Sequence, residues 1–151
     1  MMTHDIKAIL IRDLERLRSE IHMYENTSDM WKILPGTSNS AGNLTLHLIG
    51  NLRHFIGHEL GNSGYVRKRD EEFSTKNVSL TVLDSLLTIC IAEISSALDG
   101  FDTTKLTNLF PKEVGGEKRD TSFVLLHLLG HFSYHLGQIN YHRRMISGSG
   151  S

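Results

Sequence analysis

Residues 125–142 read LLHLLGHFSYHLGQINYH, and they hold four of the nine histidines of this 151-residue chain. An α-helix advances about 100° per residue, so positions three or four apart fall on nearly the same side. One stripe of this predicted helix therefore carries polar residues: His127, His131, His135, Gln138 and His142. A second stripe is apolar and holds Leu125, Leu128, Leu129, Phe132, Leu136 and Ile139. The histidines thus border the face that such a helix buries in a protein core.

Helical periodicity recurs in three earlier segments, and strand signals are weak throughout the chain. Clusters of Gly, Pro, Asn and Asp separate four predicted helices, at about 3–26, 41–60, 79–98 and 121–145. Helices of about twenty residues predict an all-α fold, a four-helix bundle. The length of the chain predicts a single domain over residues 1–146. Residues 147–151, SGSGS, are expected to form a flexible tail.

The charge balance argues against two classes of partner. Sixteen Lys and Arg against seventeen Asp and Glu give a formal charge of −1, so no strong field attracts nucleic acid or an anionic membrane. No run of eighteen apolar residues occurs, and the N-terminus lacks the apolar core of a signal peptide. The single cysteine, Cys90, lies in an apolar run and can form no intramolecular disulfide. We therefore expect a cytoplasmic protein without nucleic-acid or membrane partners.

The second predicted helix carries its own imidazole stripe. In this helix one side holds His47, Asn51, His54 and His58. Each of the two histidine-rich helices also contains two interior glycines seven residues apart, namely Gly50, Gly57, Gly130 and Gly137. A glycine inside a helix costs about 1 kcal/mol relative to alanine. Close approach of a neighbouring backbone would offset that cost, either within the chain or across a dimer interface.

Histidines four apart on a helix can direct both rings at one metal ion. His127, His131 and His135 offer two such pairs, and the second helix can supply a third ligand. The spacing alone leaves open which of its histidines does so. The alternative interpretation is a set of core histidines that are hydrogen-bonded to neighbours. Two facing stripes favour a shared metal, since buried imidazoles without partners are costly. A zincin-type protease is disfavoured, because Phe132 stands where its glutamate would follow the first histidine.

Three segments together carry a family resemblance: HLIGNLRHF at 47–55, RKRDEEF at 67–73 and HFSYHLGQI at 131–139. The chain resembles the DinB/YfiT-like superfamily of metal-dependent enzymes over essentially its whole length. This resemblance implies an up-down-down-up four-helix bundle, frequent homodimerisation and a divalent metal site made of His47, His131 and His135. It also leaves Asn51, His54, His127 and Gln138 as candidates for the surroundings of the metal or substrate. The segment Arg67–Phe73 resembles a motif of one uncharacterised branch, or it is a loop ordered by an Arg69–Asp70 pair.

The resemblance implies a metal-dependent enzyme that acts on a small molecule, as a hydrolase or as a thiol S-transferase. An all-imidazole site suits zinc, nickel or iron, and zinc or nickel is expected. Three protein ligands would leave one coordination position for water or substrate. A non-catalytic metal-binding or structural helical module is the alternative. The sequence identifies neither the substrate, the general base nor the pathway.

Overall fold

The structure, a computed structural model, describes residues 2–148 and confirms the all-α class. Five α-helices follow one another: α1 (Met2–His22), α2 (Ala41–Leu52), α3 (Arg69–Ser74), α4 (Leu80–Asp99) and α5 (Thr121–Ser147). Short 3₁₀ helices occupy Thr27–Trp31 and Thr103–Thr107. Of the predicted tail, Ser147 is the last residue of α5, and residues 149–151 lie outside the described part.

The long helices begin where capping side chains are available. Ser40, Ser79 and Asp120 each accept a hydrogen bond from a backbone N–H in the first turn of the following helix. Such caps satisfy donors that have no partner inside the helix and contribute about 1 kcal/mol each. The sequence-based helix starts therefore agree closely with the structure. The first helix ends at His22 rather than near residue 26, because a 3₁₀ turn capped by Asn26 follows it.

The helices pack on one shared apolar core. Helix α1 contacts α4 and α5, and α2 contacts α3, α4 and α5. The fully buried side chains include Leu10, Leu14, Leu48, Leu83, Leu87 and Phe132. Cys90 is fully buried as well, and this burial raises the pKa of its thiol to about 12. The thiol is therefore a packing group and not a nucleophile at neutral pH.

Helix α4 has one further property. Within residues 2–148 it is the one helix long and apolar enough to cross a membrane by length and composition, with a mean hydropathy of 1.6. Core helices of soluble proteins also meet this criterion of length and composition. In this structure, 28% of the apolar stretch is buried. Its buried side holds Leu83, Leu87, Cys90 and Ile94. Val82 and Ile89 are exposed on another side.

The helix predicted over 41–60 changes its geometry part-way. After Leu52 the chain forms a π-helix over Arg53–His58, in which Glu59 N–H donates to His54 O at 3.1 Å. The wider turn rotates every later side chain away from the direction that a 3.6-residue period predicts. The single stripe expected from His47 to His58 is therefore broken after Leu52, and single π-turns of this kind are frequent at functional sites.

The last histidine of the α5 stripe has a structural role. His142 is buried, its Nε2–H donates to Lys32 O at 2.8 Å, and its Nδ1 accepts from the Tyr24 hydroxyl at 2.7 Å. Both ring nitrogens are thus satisfied. His142 ties α5 to the segment that leads into α2, and it takes no part in the site described next.

Candidate metal centre

Three histidines from two helices converge at one point. His47 projects from α2, His131 and His135 project from α5, and their nearest ring nitrogens all lie within 4.8 Å of one another. His47 Nε2 and His131 Nε2 are 3.1 Å apart. Two ligands of a tetrahedral zinc ion, at bond lengths of about 2.0–2.1 Å, stand about 3.3 Å apart. The spacing of His47 and His131 is therefore close to the one that a metal ion requires, and His135 lies near enough to complete the site.

The proton of His47 is assigned by a buried carboxylate. His47 Nδ1 lies 3.0 Å from Glu72 Oε1, and both side chains are almost completely buried. Burial by itself raises the pKa of Glu72, but hydrogen bonds from His47 and Arg67 outweigh it and lower the pKa below its ordinary value. An ionised carboxylate only accepts hydrogen bonds, so Nδ1 carries the proton. The lone pair of His47 Nε2 consequently faces the other two histidines.

The charge of Glu72 is balanced by one arginine. Arg67 Nε donates to Glu72 Oε2 at 2.9 Å, and Arg67 Nη2 donates to Glu72 Oε1 at 2.8 Å. This two-pronged geometry is the strong form of an arginine–carboxylate pair. The ion pair that holds the 67–73 segment is therefore Arg67–Glu72. Arg69 instead lies over the Phe73 ring, 5.2 Å from its centre.

Helix α2 is shaped to receive this segment. A Cβ atom at Gly50 would collide with Glu72 Oε2, so the absence of a side chain at Gly50 makes room for the carboxylate. Asn43 Nδ2 donates to the backbone oxygens of Glu72 at 2.9 Å and Thr75 at 2.8 Å, which fastens α3 to α2. Helix α3 has six residues and is too short to be stable alone. Its position therefore depends on these contacts.

The glycines were expected to allow close backbone approach, and the structure gives a different reason for two of them. Gly50 admits the Glu72 side chain, and Gly57 lies against the Glu93 side chain, whose Oε2 would be 3.0 Å from an added Cβ. Side chains, not a neighbouring backbone, occupy the space at both positions. Among the described residues, nothing lies within 4 Å of an added Cβ at Gly130 or Gly137.

His135 is oriented in the same manner as His47. Its Nδ1 lies 2.6 Å from Gln138 Oε1, so Nδ1–H donates to the amide oxygen and the Nε2 lone pair is available. Burial lowers the pKa of His135, although the bond to Gln138 opposes that change and the neighbouring His47 adds to it. The imidazole is thus neutral at pH 7, which is the form that binds metals.

His131 has an unsatisfied nitrogen. Burial, with the nearby His135 and His47, lowers its pKa to about 4, so the ring is neutral at pH 7. Its Nδ1 is buried and has no hydrogen-bond partner among residues 2–148. A neutral imidazole whose Nδ1 carries the proton would point its Nε2 lone pair directly at that of His47. A cation between these two nitrogens would convert this repulsion into binding.

The other candidate residues stand outside the triad. His127 is exposed, and its ring centre lies 6.4 Å from that of His131. Asn51 is buried on α2, and its Oδ1 has no described hydrogen-bond partner. His54 Nδ1, on the π-helix, is also buried and also has no described partner. His58 Nδ1 accepts from Gly64 N–H at 3.2 Å. Gln138, a candidate from the sequence, contacts His135, whereas the sequence did not identify Glu72 as the partner of His47, because three acidic residues stand side by side in RKRDEEF.

Comparisons with known proteins add no family. No protein-family model matches this chain. A search of curated proteins found no match either. The DinB/YfiT-like resemblance therefore rests on the quoted motifs, and the triad rests on its geometry.

The fit between Gly50 and Glu72 predicts a non-additive pair of substitutions. Gly50→Ala should lower the free energy of unfolding of the metal-free protein by about 1–3 kcal/mol, because the new methyl group must displace Glu72. In a Glu72→Ala background the same substitution should be neutral, or stabilising by up to about 1 kcal/mol, since alanine is the better helix former. Urea unfolding of the four proteins in EDTA measures the coupling. An equal cost of Gly50→Ala in both backgrounds would contradict the packing described here.

Proposed function

We propose that this protein is a metal-dependent enzyme of the DinB/YfiT-like kind, with a divalent ion held by His47, His131 and His135. The convergence of three imidazoles, two of them with Nδ1–H held by Glu72 and Gln138, carries this proposal. Histidine ligands of metals typically donate their second N–H to such an acceptor. In the full proposal, the four long helices form an up-down-down-up bundle in one cytoplasmic domain, without nucleic-acid or membrane partners.

The exposure of the site favours catalysis over a structural role. His47 is buried, whereas His131 and His135 are half-buried, so one side of the cluster is accessible to solvent. Structural zinc sites are usually closed by four protein ligands, and catalytic sites keep an open position. No fourth His, Cys, Asp or Glu joins the cluster among the described residues. A non-catalytic module with a closed metal site fits this arrangement less well.

The residues of the chain have defined tasks in this proposal. Glu72 fixes the tautomer and direction of His47, Arg67 keeps Glu72 ionised, and Gln138 does for His135 what Glu72 does for His47. A bound zinc or nickel ion would supply a Lewis-acidic centre that polarises a substrate carbonyl or activates a water or thiol. That chemistry suits hydrolysis or thiol transfer on a small molecule. Asn51 and His54 are candidates for the surroundings of the metal, because both have buried polar atoms without described partners.

Substitution of the ligands tests the proposal directly. Replacing any one of His47, His131 and His135 with Ala should greatly weaken zinc and nickel binding, since two imidazoles form an incomplete site. His127→Ala is the matched control, because this histidine lies one turn before His131 on α5 and is exposed. It should keep the affinity of the unmodified protein in a competition titration with a chromogenic chelator. Full-affinity binding by folded His131→Ala protein would overturn the proposal.

Glu72 should act on the metal through His47. Glu72→Gln keeps the size of the side chain but removes the charge, and we expect about a 10- to 100-fold loss of zinc affinity. The control is Glu71→Gln, a neighbouring acidic residue that is exposed and pairs with Lys68. It should leave zinc affinity unchanged. Should both variants bind zinc as the parent does, Glu72 has only a structural role.

We also propose that the protein is a homodimer, with contacts along the exposed N-terminal half of α5. Gly130 lies there in open space, and Leu126 is exposed one turn before it. Small residues allow the closest approach of two helices, and a two-fold interface would use the same face twice. Sedimentation at micromolar concentration should show a species of two 17.0 kDa chains, and Leu126→Asp should shift it to one chain. A monomer before any substitution contradicts this proposal.

A further inference from the structure

A cavity of about 450 Å³ lies next to the triad and shares His135 with it. His135 and Gln138 form part of its wall, and Tyr134, Tyr141 and Met145 extend that wall along α5. The rest of the wall comes from the loop before α2 and from α2 itself: Leu34, Gly36, Thr37, Ser38, Asn39 and Leu44. Cavities of about 300–1,000 Å³ are typical of small-molecule sites. Its position makes it the candidate substrate site of the enzyme proposed above.

The loop side of the cavity is held in place by several contacts. Pro35 and Gly36 occupy the centre of a turn in which Thr37 N–H donates to Leu34 O at 3.0 Å. Gly36, the third residue of the turn, has a φ of +78°. A type II turn requires a positive φ at this position, and glycine adopts one without strain. Before the turn, Lys32 O accepts from His142. After it, Ser40 caps α2. The cavity is therefore preformed, with its two walls connected.

The chemistry of the wall selects an uncharged ligand. No Asp, Glu, Lys or Arg is among the lining residues in the described part of the chain, and both ring nitrogens of the lining His142 are hydrogen-bonded to Lys32 O and the Tyr24 hydroxyl. A charged group that displaces water from this wall therefore gains no ionic partner from the chain, which is unfavourable. The aromatic and aliphatic side chains suit a flat apolar body, as in most small-molecule sites.

One polar group of the wall can orient such a ligand. Gln138 Oε1 accepts the proton of His135 Nδ1, so the amide Nε2 is the group of Gln138 left to donate to a ligand. A carbonyl oxygen is the matching acceptor. A ligand bound there would touch the residue that orients His135, and its acceptor would lie close to the triad.

We infer that this cavity binds the substrate of the proposed enzyme, and that the part of the substrate lying in the cavity is uncharged, with an aromatic or cyclic body and a carbonyl-type acceptor. That the ligand is a substrate rests on the proposed function, whereas the class of ligand rests on the lining of the cavity.

Two dyes with the same aromatic framework test the inference. N-phenyl-1-naphthylamine is neutral, and 1-anilinonaphthalene-8-sulfonate adds a single negative charge to that framework. In EDTA, which keeps the triad free of metal, the full-length protein should bind the neutral dye at one site per chain, with a rise in fluorescence. The sulfonate should bind at least about tenfold more weakly, because its charge finds no partner in the wall. Equal or tighter binding of the sulfonate would overturn the inference.

Substitutions place the dye in the cavity. Ser38→Trp fills the space from an exposed loop position, and Tyr141→Ala removes part of the wall from an exposed helix position. Each should weaken binding of the neutral dye at least about tenfold, a loss of about 1.4 kcal/mol. The control is Ile89→Ala on α4, which removes an exposed apolar side chain outside the cavity and should change nothing. Unchanged dye binding in both cavity variants would overturn the assignment.

A zinc titration of the same samples, after removal of the EDTA, separates this inference from the proposed function. Dye binding with the expected pattern but without zinc binding would retain the cavity and refute the metalloenzyme. Zinc binding by the triad without specific dye binding would retain the metal site and refute the assignment of the cavity.

Discussion

The buried carboxylate of Glu72 is the group on which the rest of the site depends. It accepts hydrogen bonds from His47 and from Arg67. It occupies the space beside α2 that is open because Gly50 has no side chain. An unpaired carboxylate at this depth would be strongly destabilising, so all three partners are needed together. Because they lie on α2 and on the segment that ends in α3, one ion pair both attaches α3 and directs His47 towards α5.

Much of the fold was predictable from local patterns. The apolar spacing of three and four residues, with Ser or Asp at the helix starts, predicted the four long helices. Most of the predicted helix ends lie within a few residues of the observed ones. The all-α class followed from them. The i, i+4 spacing of His131 and His135 also predicted correctly that these two rings lie together, because a regular helix fixes their separation.

Other features depend on contacts between distant residues, which periodicity does not encode. His127 and His142 share the stripe of His131 and His135, yet one is exposed and the other is bonded to Tyr24 and Lys32. Residues on one stripe contact different neighbours at different positions along the helix axis. A helical projection shows only the angle around the axis, so it cannot distinguish these positions. The π-helix after Leu52 likewise breaks the assumed 3.6-residue period. The sequence does not identify Glu72 as the partner of His47, because their contact depends on how the chain between α2 and α3 folds back.

The central claim is that the three histidines hold one divalent ion, and the metal content of the protein tests it most directly. The protein should be purified without an affinity tag or a nickel column, since either could introduce or remove metal. Elemental analysis by mass spectrometry should then find close to one zinc or nickel ion per chain, which EDTA removes and added zinc restores. Protein that contains no metal, and that binds none when zinc is added at neutral pH, would contradict the account.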